Sequence, residues 1–233
     1  MTKPKEAEVQ TEVPGTKVLS IKEQIAQQIA RQNETAQGLR SSGSYIGFKN
    51  AQLKVDGISI PENQIEVRVL AVIGERAWYP KDFDADVAQV PDCYALNAKT
   101  PHDEAVNPQA DFCDECPHDK WGSAPRGRGK ACRESARVIV IAANIPLASA
   151  QMYTAKVPIT SLSTVTSFSS RCNQANKLTG EFVTRLSVVE DKKTFFKVHL
   201  TPLSITDDID MTALLGAQDK AYQLAMTPYP VLE

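Results

Sequence analysis

Apolar and polar positions change period several times along the chain, and each change marks an element. Residues 1–17 are mostly Lys, Glu, Thr and Pro with almost nothing to bury, which predicts a flexible tail. Val18, Leu19, Ile21, Ile25 and Ile29 then stand among Gln, Lys and Glu. Their spacing puts the isoleucines on one stripe of a short helix over 18–38, capped by Ser20 with Glu23. A lone amphipathic helix of this length is marginal in water, so it calls for a docking surface on its own domain or on a neighbouring copy. Gly38 and Ser41 to Ser44 read as a linker. From Tyr45 the period drops to two. Tyr45, Ile46, Phe48, Leu53 and Val55 predict a first strand, bulged near Gly47 or Asn50, and Asp56-Gly57 a turn. Ile65 to Ile73 is a strong second strand. Residues 75–136 lose strand periodicity and carry four of the five cysteines. Strands resume at Arg137 to Ala142 and Tyr153 to Ile159, followed by a Ser/Thr-rich helix over Ser161 to Leu178 that Gly180 stops. Phe182 to Val189 and Thr194 to Leu203 read as a hairpin across Glu190 to Lys193. Thr206-Asp207-Asp208 opens a closing helix to about Met226, ended by Thr227-Pro228-Tyr229-Pro230.

Strand, strand, long insertion, strand, strand, helix, strand, strand is the order of a small barrel with a helix before its last hairpin. The expected class is mainly β (a β-rich α+β chain): an OB-fold-like barrel with a metal-binding insertion and flanking helices. Periodicity by itself also allows other α+β folds. Three segments follow: a tail and amphipathic helix over 1–43, a core over 44–205 with its insertion at about 75–136, and a C-terminal helix and tail over 206–233.

Composition narrows this modestly. The chain has 233 residues, 42% hydrophobic and 23% charged, enough for one large domain with a buried core. No apolar run approaches the roughly 18 residues of a membrane helix, and Met1-Thr-Lys-Pro-Lys-Glu6 lacks the apolar run of a signal peptide. Secretion and a membrane partner are not expected. A net charge of −2 excludes a histone-like polycation and leaves nucleic-acid binding open, because local charge decides it. Without an export signal, clustered cysteines point to metal before disulfide.

Cys113 and Cys116 form a Cys-x-x-Cys knuckle that brings two thiolates onto one ion. Cys93 and Cys132 can complete a tetrahedral four-sulfur site, with bonds of about 2.3 Å. Some sixty residues of low apolar content cannot pack themselves, and structural zinc can supply roughly 10–16 kcal/mol of apparent binding energy in small finger peptides. Zinc is the expected cofactor. Iron–sulfur, a redox pair and scattered free thiols are the alternatives, and His118 or His102 can replace one sulfur. Cys172, on the later helix, reads as a core or surface thiol.

Charge is segregated around these cysteines. Asp82 to Asp119 holds ten carboxylates against Lys99 alone, whereas Lys120, Arg126, Arg128, Lys130, Arg133 and Arg137 follow against Glu134. A glycine-bearing basic loop can track phosphates; the same charges can instead neutralise thiolates or pair with the acidic run. Aromatic faces beside a cationic track are what single-strand binders need. Trp78, Tyr79, Tyr94 and Trp121 are the candidate stacking residues, alongside Tyr45, Phe48, Phe83 and Phe112; each has core packing as its alternative.

Catalytic readings fare worse. His102-Asp-Glu104 before Cys113-x-x-Cys116 imitates a zinc deaminase, but only eight residues separate the halves and Phe112 stands where that motif has proline. Gly129-Lys130-Ala131 lacks the hydroxyl of a P-loop. The carboxylate run, without a strand-end arrangement, reads as a solvated face rather than a divalent-metal nuclease site. No enzyme is expected.

Cys113-x-x-Cys116-Pro117, Trp121-Gly122-Ser123-Ala124 and Gly127-x-Gly129-Lys130-Ala131-Cys132, preceded by Cys93-Tyr94, resemble bacteriophage single-stranded DNA-binding proteins. These carry a zinc-stapled insertion in an OB-fold, similar in plan to the helix-destabilising protein of T-even phages. The resemblance covers about residues 44–205 and is most specific between 93 and 132; Val157 to Ser161 and the strand at Thr184 share it. It implies sequence-independent binding of single strands in replication and recombination, in the cytoplasm of an infected bacterium. It also implies Cys93, Cys113, Cys116 and Cys132 as zinc ligands. Self-association through the N-terminal helix and contacts with replication or recombination proteins are the expected further partners. The chain departs from the family in lacking a strongly acidic tail. A zinc-containing adaptor or transcription-type factor, binding protein or duplex DNA, is the alternative function.

Overall fold

The chain divides into two units, Met1–Ser42 and Gly43–Glu233. The computed structural model describes residues 44–81 and 89–230, with Gln28 as the one described position before them, in helix. The predicted tail, amphipathic helix and linker, and Phe83 with its neighbouring carboxylates, lie outside the described residues.

The second unit is mainly β. Its strands are β1 (Tyr45–Gly47), β2 (Lys54–Val55), β3 (Ile58–Ser59), β4 (Gln64–Trp78), β5 (Cys93–Ala95), β6 (Arg133–Ala142), β7 (Tyr153–Pro158), β8 (Phe182–Asp191) and β9 (Phe195–Ile205). Two helices accompany them, α1 (Leu162–Gln174) and α2 (Met211–Ala225). One mixed sheet runs in the order β3-β2-β1-β7-β6-β4-β8-β9, and β5 pairs with β4 beside this path. β1 and β7 are parallel and the other pairs antiparallel.

β4 organises the fold. One edge pairs with β6 from Val67 to Ala77, while the other meets β8 at Gln64–Val67 and β5 at Arg76–Trp78. A bulge between Val69 and Ala71 exchanges its two faces. Before it Val67 and Val69, and after it Val72, look into a core shared with Ile46, Val138, Val157, Leu186 and Val198. Residues from both ends of the sheet path fall in that one cluster, so the sheet curls around it. Ile73, Ala77, Ile139 and Ile141 face the opposite way, onto Leu214, Ala217 and Ala221 of α2.

The curl is bridged by hydroxyls where β7 and β9 do not pair. Ser161, just past β7, accepts a hydrogen bond from the Val198 amide (2.9 Å). The Thr164 hydroxyl, on the first turn of α1, donates to the Val198 carbonyl (2.6 Å). Ser161 is thus occupied by β9 and does not cap α1 with its side chain.

Several boundaries differ from the sequence reading. The first predicted strand is broken by a turn at Lys49–Ala51, with Asn50 and Ala51 at φ 59° and 57°. β4 and β6 run on into the insertion because their polar ends, Arg76 to Glu134, pair with each other and not with apolar partners. α2 opens later than Thr206. The Thr206 amide donates to the Glu181 carbonyl (3.0 Å) and its hydroxyl receives Arg68 (2.8 Å), so it finishes the hairpin. Asp210 is the cap, accepting from the Thr212 and Ala213 amides (2.9 and 3.1 Å). Among the described residues no helix is long and apolar enough to cross a membrane.

Candidate metal centre and nucleic-acid interface

The ends of β4, β5 and β6 carry the cysteine-rich segment. Trp78 pairs with Cys93, Arg76 with Ala95 and with Glu134, and Ala77 with Arg133. Directly opposed residues share a sheet face. Cys93 therefore stands in the row of Trp78, Cys132 lies one residue before β6, and Arg76 occupies the next row of that face. Cys113 and Cys116 arrive on a tight turn, the Cys116 amide reaching the Cys113 carbonyl (3.4 Å). The turn is tied down by the Cys113 amide on the Lys99 carbonyl (2.8 Å), and Cys132 by its amide on the His118 carbonyl (2.9 Å).

All four thiols are free; Cys113 and Cys116 are buried, Cys93 and Cys132 partly so. Burial pushes the Cys132 thiol up to about 12, and Cys113 and Cys116 add to it. Cys113 is raised by burial first and then by Cys93 and Cys116, against the lowering effect of Arg76. Burial likewise raises Cys93, with Cys116 adding. Each of the four thiols thus feels at least one of the others, though among the described residues no three His, Cys, Asp or Glu side chains form a metal-binding group. Four thiols are a soft donor set of the kind that suits zinc, and ionising them together in this setting requires a cation.

The two candidate substitute ligands are engaged elsewhere. His118 stacks on Trp78 at 4.5 Å between centroids, with Nε2 3.1 Å from Gln109 Oε1. His102 stacks on Tyr94 at 5.1 Å. Cys172 is fully buried in the core inside the curled sheet, as a core thiol.

Searches against protein-family models, curated proteins and solved structures find no match to this chain.

The basic residues fall into two groups. Lys120, Arg126, Arg128 and Arg133 are exposed. Lys130 is turned inward to Asp119 and Glu134, both at 2.9 Å, and Arg76 also pairs with Asp119 (3.0 Å). Pairing with the acidic run is therefore realised at Lys130. Arg137 is withdrawn too. It pairs with the fully buried Glu75, donates to the Ala225 and Thr227 carbonyls (3.1 and 2.7 Å), and lies 4.9 Å from the Tyr229 ring centroid. The loop itself folds back, the Gly122 amide donating to the Gly129 carbonyl (3.0 Å), and uses glycine at φ 86° and 81° for residues 122 and 127.

The aromatics divide similarly. Tyr94 is 3% exposed, packed edge-on against Tyr229, and presents no face to a base. Tyr79 is partly buried beneath Arg133, 5.5 Å from its ring centroid. Trp121 is 77% exposed and Phe112 53%. Trp121 borders a groove of about 560 Å³ with Arg133, Lys156, Pro158 and Ile159, on the outer face of β6 and β7. A second cavity of about 280 Å³ lies between Trp78, Tyr79, Lys81 and Arg126, and Lys130 and Arg133 border both. Sequence reading missed Lys156 and Ile159. Lys156 sits in an alternating strand without basic neighbours, and only the pairing of β7 with β6, which sets it opposite Arg137, brings it to the groove that Arg133 also lines.

Proposed function

We propose that this chain is a single-stranded DNA-binding protein built on an OB-like barrel, with a structural zinc ion held by Cys93, Cys113, Cys116 and Cys132. One observation carries the reading: the open groove lined by an almost bare Trp121 and the exposed Arg133, with Lys156, which also pairs with Glu75, at its rim. An indole face with adjacent cations serves every base alike, which is how sequence-independent binders work. The strand plan supports it. A long first strand shared between two neighbours, a helix after the third strand and a closing hairpin follow the OB order across β4, β6, β7, β8 and β9. In place of the last closing pair, the Ser161 and Thr164 bridges join β7 to β9. Zinc would hold the insertion that carries Trp121 and the exposed basic loop. Of the cations read from sequence, Lys120, Arg126, Arg128 and Arg133 fit the phosphate track; Arg137 and Lys130 serve the interior, as Tyr94 does among the aromatics. Replication or recombination proteins, and copies joined through the N-terminal segment, are the partners this reading carries with it, in the cytoplasm of an infected bacterium.

The test is fluorescence anisotropy of zinc-loaded protein on labelled oligo(dT) across a salt series, with equal-length duplex as competitor. The expected result is tight single-strand binding, weak competition and a log–log salt slope of roughly −3 for four phosphate contacts. Absence of binding at low salt overturns the reading and favours the zinc adaptor, for which α2 offers the outward apolar residues Met211, Leu215 and Tyr222.

A further inference from the structure

The cavity of about 280 Å³ at the end of β4 has no part in the Trp121 groove, and the make-up of its walls is distinctive. One wall is Trp78, Tyr79, Pro80 and Lys81, where the chain leaves β4; the other runs from Ser123 to the start of β6. Lys81, Arg126, Lys130 and Arg133 all line it, and among the described residues the lining holds no Asp or Glu. Lys130 is committed to Asp119 and Glu134. Lys81, Arg126 and Arg133 are exposed. The rings of the first wall are partly covered: His118 stacks on Trp78, and the Arg133 guanidinium lies 5.5 Å from the Tyr79 centroid. Such walls offer positive charge more than open ring faces. The second wall is braced from within. The Ser123 hydroxyl accepts from the Ala131 amide (2.9 Å), and the Ala124 amide donates to the Gly129 carbonyl (3.1 Å). The backbone bearing Arg126 and Lys130 is thus set before a ligand arrives, which lowers the ordering cost of binding.

We propose that this cavity is a seat for a phosphate monoester, separate from the Trp121 groove, with Lys81, Arg126 and Arg133 as its cations. A monoester carries about 1.5–2 negative charges near pH 7 and three strong acceptor oxygens. The phosphodiester of a continuous strand carries one charge, so several cations around one small cavity suit the monoester better. Guanidinium pairs such oxygens two at a time, and an ammonium adds a point charge. This chemistry has two sources: the phosphorylated end of a single strand, and a free mononucleotide. Arg133 lines both the seat and the groove, so a strand lying in the groove has the seat beside it. The seat does not depend on the single-strand reading, because a free mononucleotide fills it equally well.

Trp78 borders the seat and Trp121 the groove, and the chain has two tryptophans. Full-length protein carrying Trp121→Ala therefore keeps one reporter, at the seat. In that background dTMP is expected to change Trp78 emission saturably, and thymidine, which lacks the phosphate, to leave it unchanged. Adding Lys81→Gln is expected to weaken dTMP about tenfold, the worth of one charge-assisted contact, with the circular dichroism spectrum unaltered. Absence of a dTMP response, a thymidine response equal to it, or a dTMP affinity that Lys81→Gln leaves unchanged overturns the proposal. The source is read with Trp121 intact, by comparing oligo(dT) of one length with a 5′-phosphate, a 3′-phosphate or hydroxyl ends. Binding about tenfold tighter for a phosphorylated end, lost in Lys81→Gln while the hydroxyl-ended strand stays within twofold, supports the proposal with the strand end as ligand. A dTMP response without any end preference supports it with the free mononucleotide. Failure of every oligo(dT) to bind removes the single-strand reading, and the dTMP titration then decides the seat by itself.

Discussion

Glu75 shows how the outer face of the curled sheet is locked. Its side chain is fully buried yet meets Arg137, Lys156 and the Tyr229 hydroxyl. Burial pushes the carboxyl upward, but Lys156 and Arg137, with hydrogen bonds from Lys156 and Tyr229, outweigh it and hold it below the usual carboxylate range. Near pH 4 the unfolded chain then binds more protons than the folded one, so stability rises with pH there. The contribution is complete above the unfolded value of about 4.3 and is lost as pH falls through the lower folded value. Glu75→Gln leaves two cations without their carboxylate and is expected to cost about 3 kcal/mol at pH 7. Thermal unfolding of both proteins between pH 3 and 7 should show that difference shrinking below about pH 4; a constant difference contradicts the account. None of this was legible in the sequence. Arg137 stands at the end of a basic run and reads as a phosphate contact, and only the return of the chain at Ala225 to Tyr229 gives it an inward partner.

At the scale of elements, the docking of α2 depends on Gly180. A Cβ there would stand 2.5 Å from Leu214 Cδ1 and 3.4 Å from Leu70 Cδ2. Leu214 has no exposed surface and cannot move aside. Gly180→Ala is therefore expected to destabilise by about 1–3 kcal/mol in urea titration, as overpacked cores do; an unchanged midpoint contradicts the packing. The sequence reading of Gly180 as a helix stop found the right residue for a different reason, since α1 already ends at Gln174. Strongly periodic segments, β4, β6 and the hairpin, were legible because one face of each is buried. β1 and β2 were read as one strand and their separation was missed, and β3 and β5 were not read at all, because two or three residues carry no period and their pairing is decided by distant partners.

In the molecule as a whole, a curled sheet that packs around its own core carries an insertion with few apolar residues of its own. The core inside the curl draws on every long strand, whereas Leu96, Ala105 and Tyr94 are among the few apolar anchors of the insertion. Metal removal should therefore act locally. After chelation, amide hydrogen exchange is expected to accelerate across 93–132 while β6 to β9 stay protected; unchanged exchange in the insertion contradicts the metal reading. That four cysteines fall in one insertion was legible from the chain, and the Cys-x-x-Cys spacing does place two of them on one tight turn. Which cations and aromatics face outward was not, because exposure is set by pairing across the sheet. The central claim is that Trp121 receives a base, and its fluorescence tests this most directly. Oligo(dT), and not duplex, is expected to quench wild-type tryptophan emission. Trp121→Ala should lose most of that quenching and bind about tenfold more weakly, with thermal stability unchanged. Emission that does not respond to saturating single strand would contradict the account.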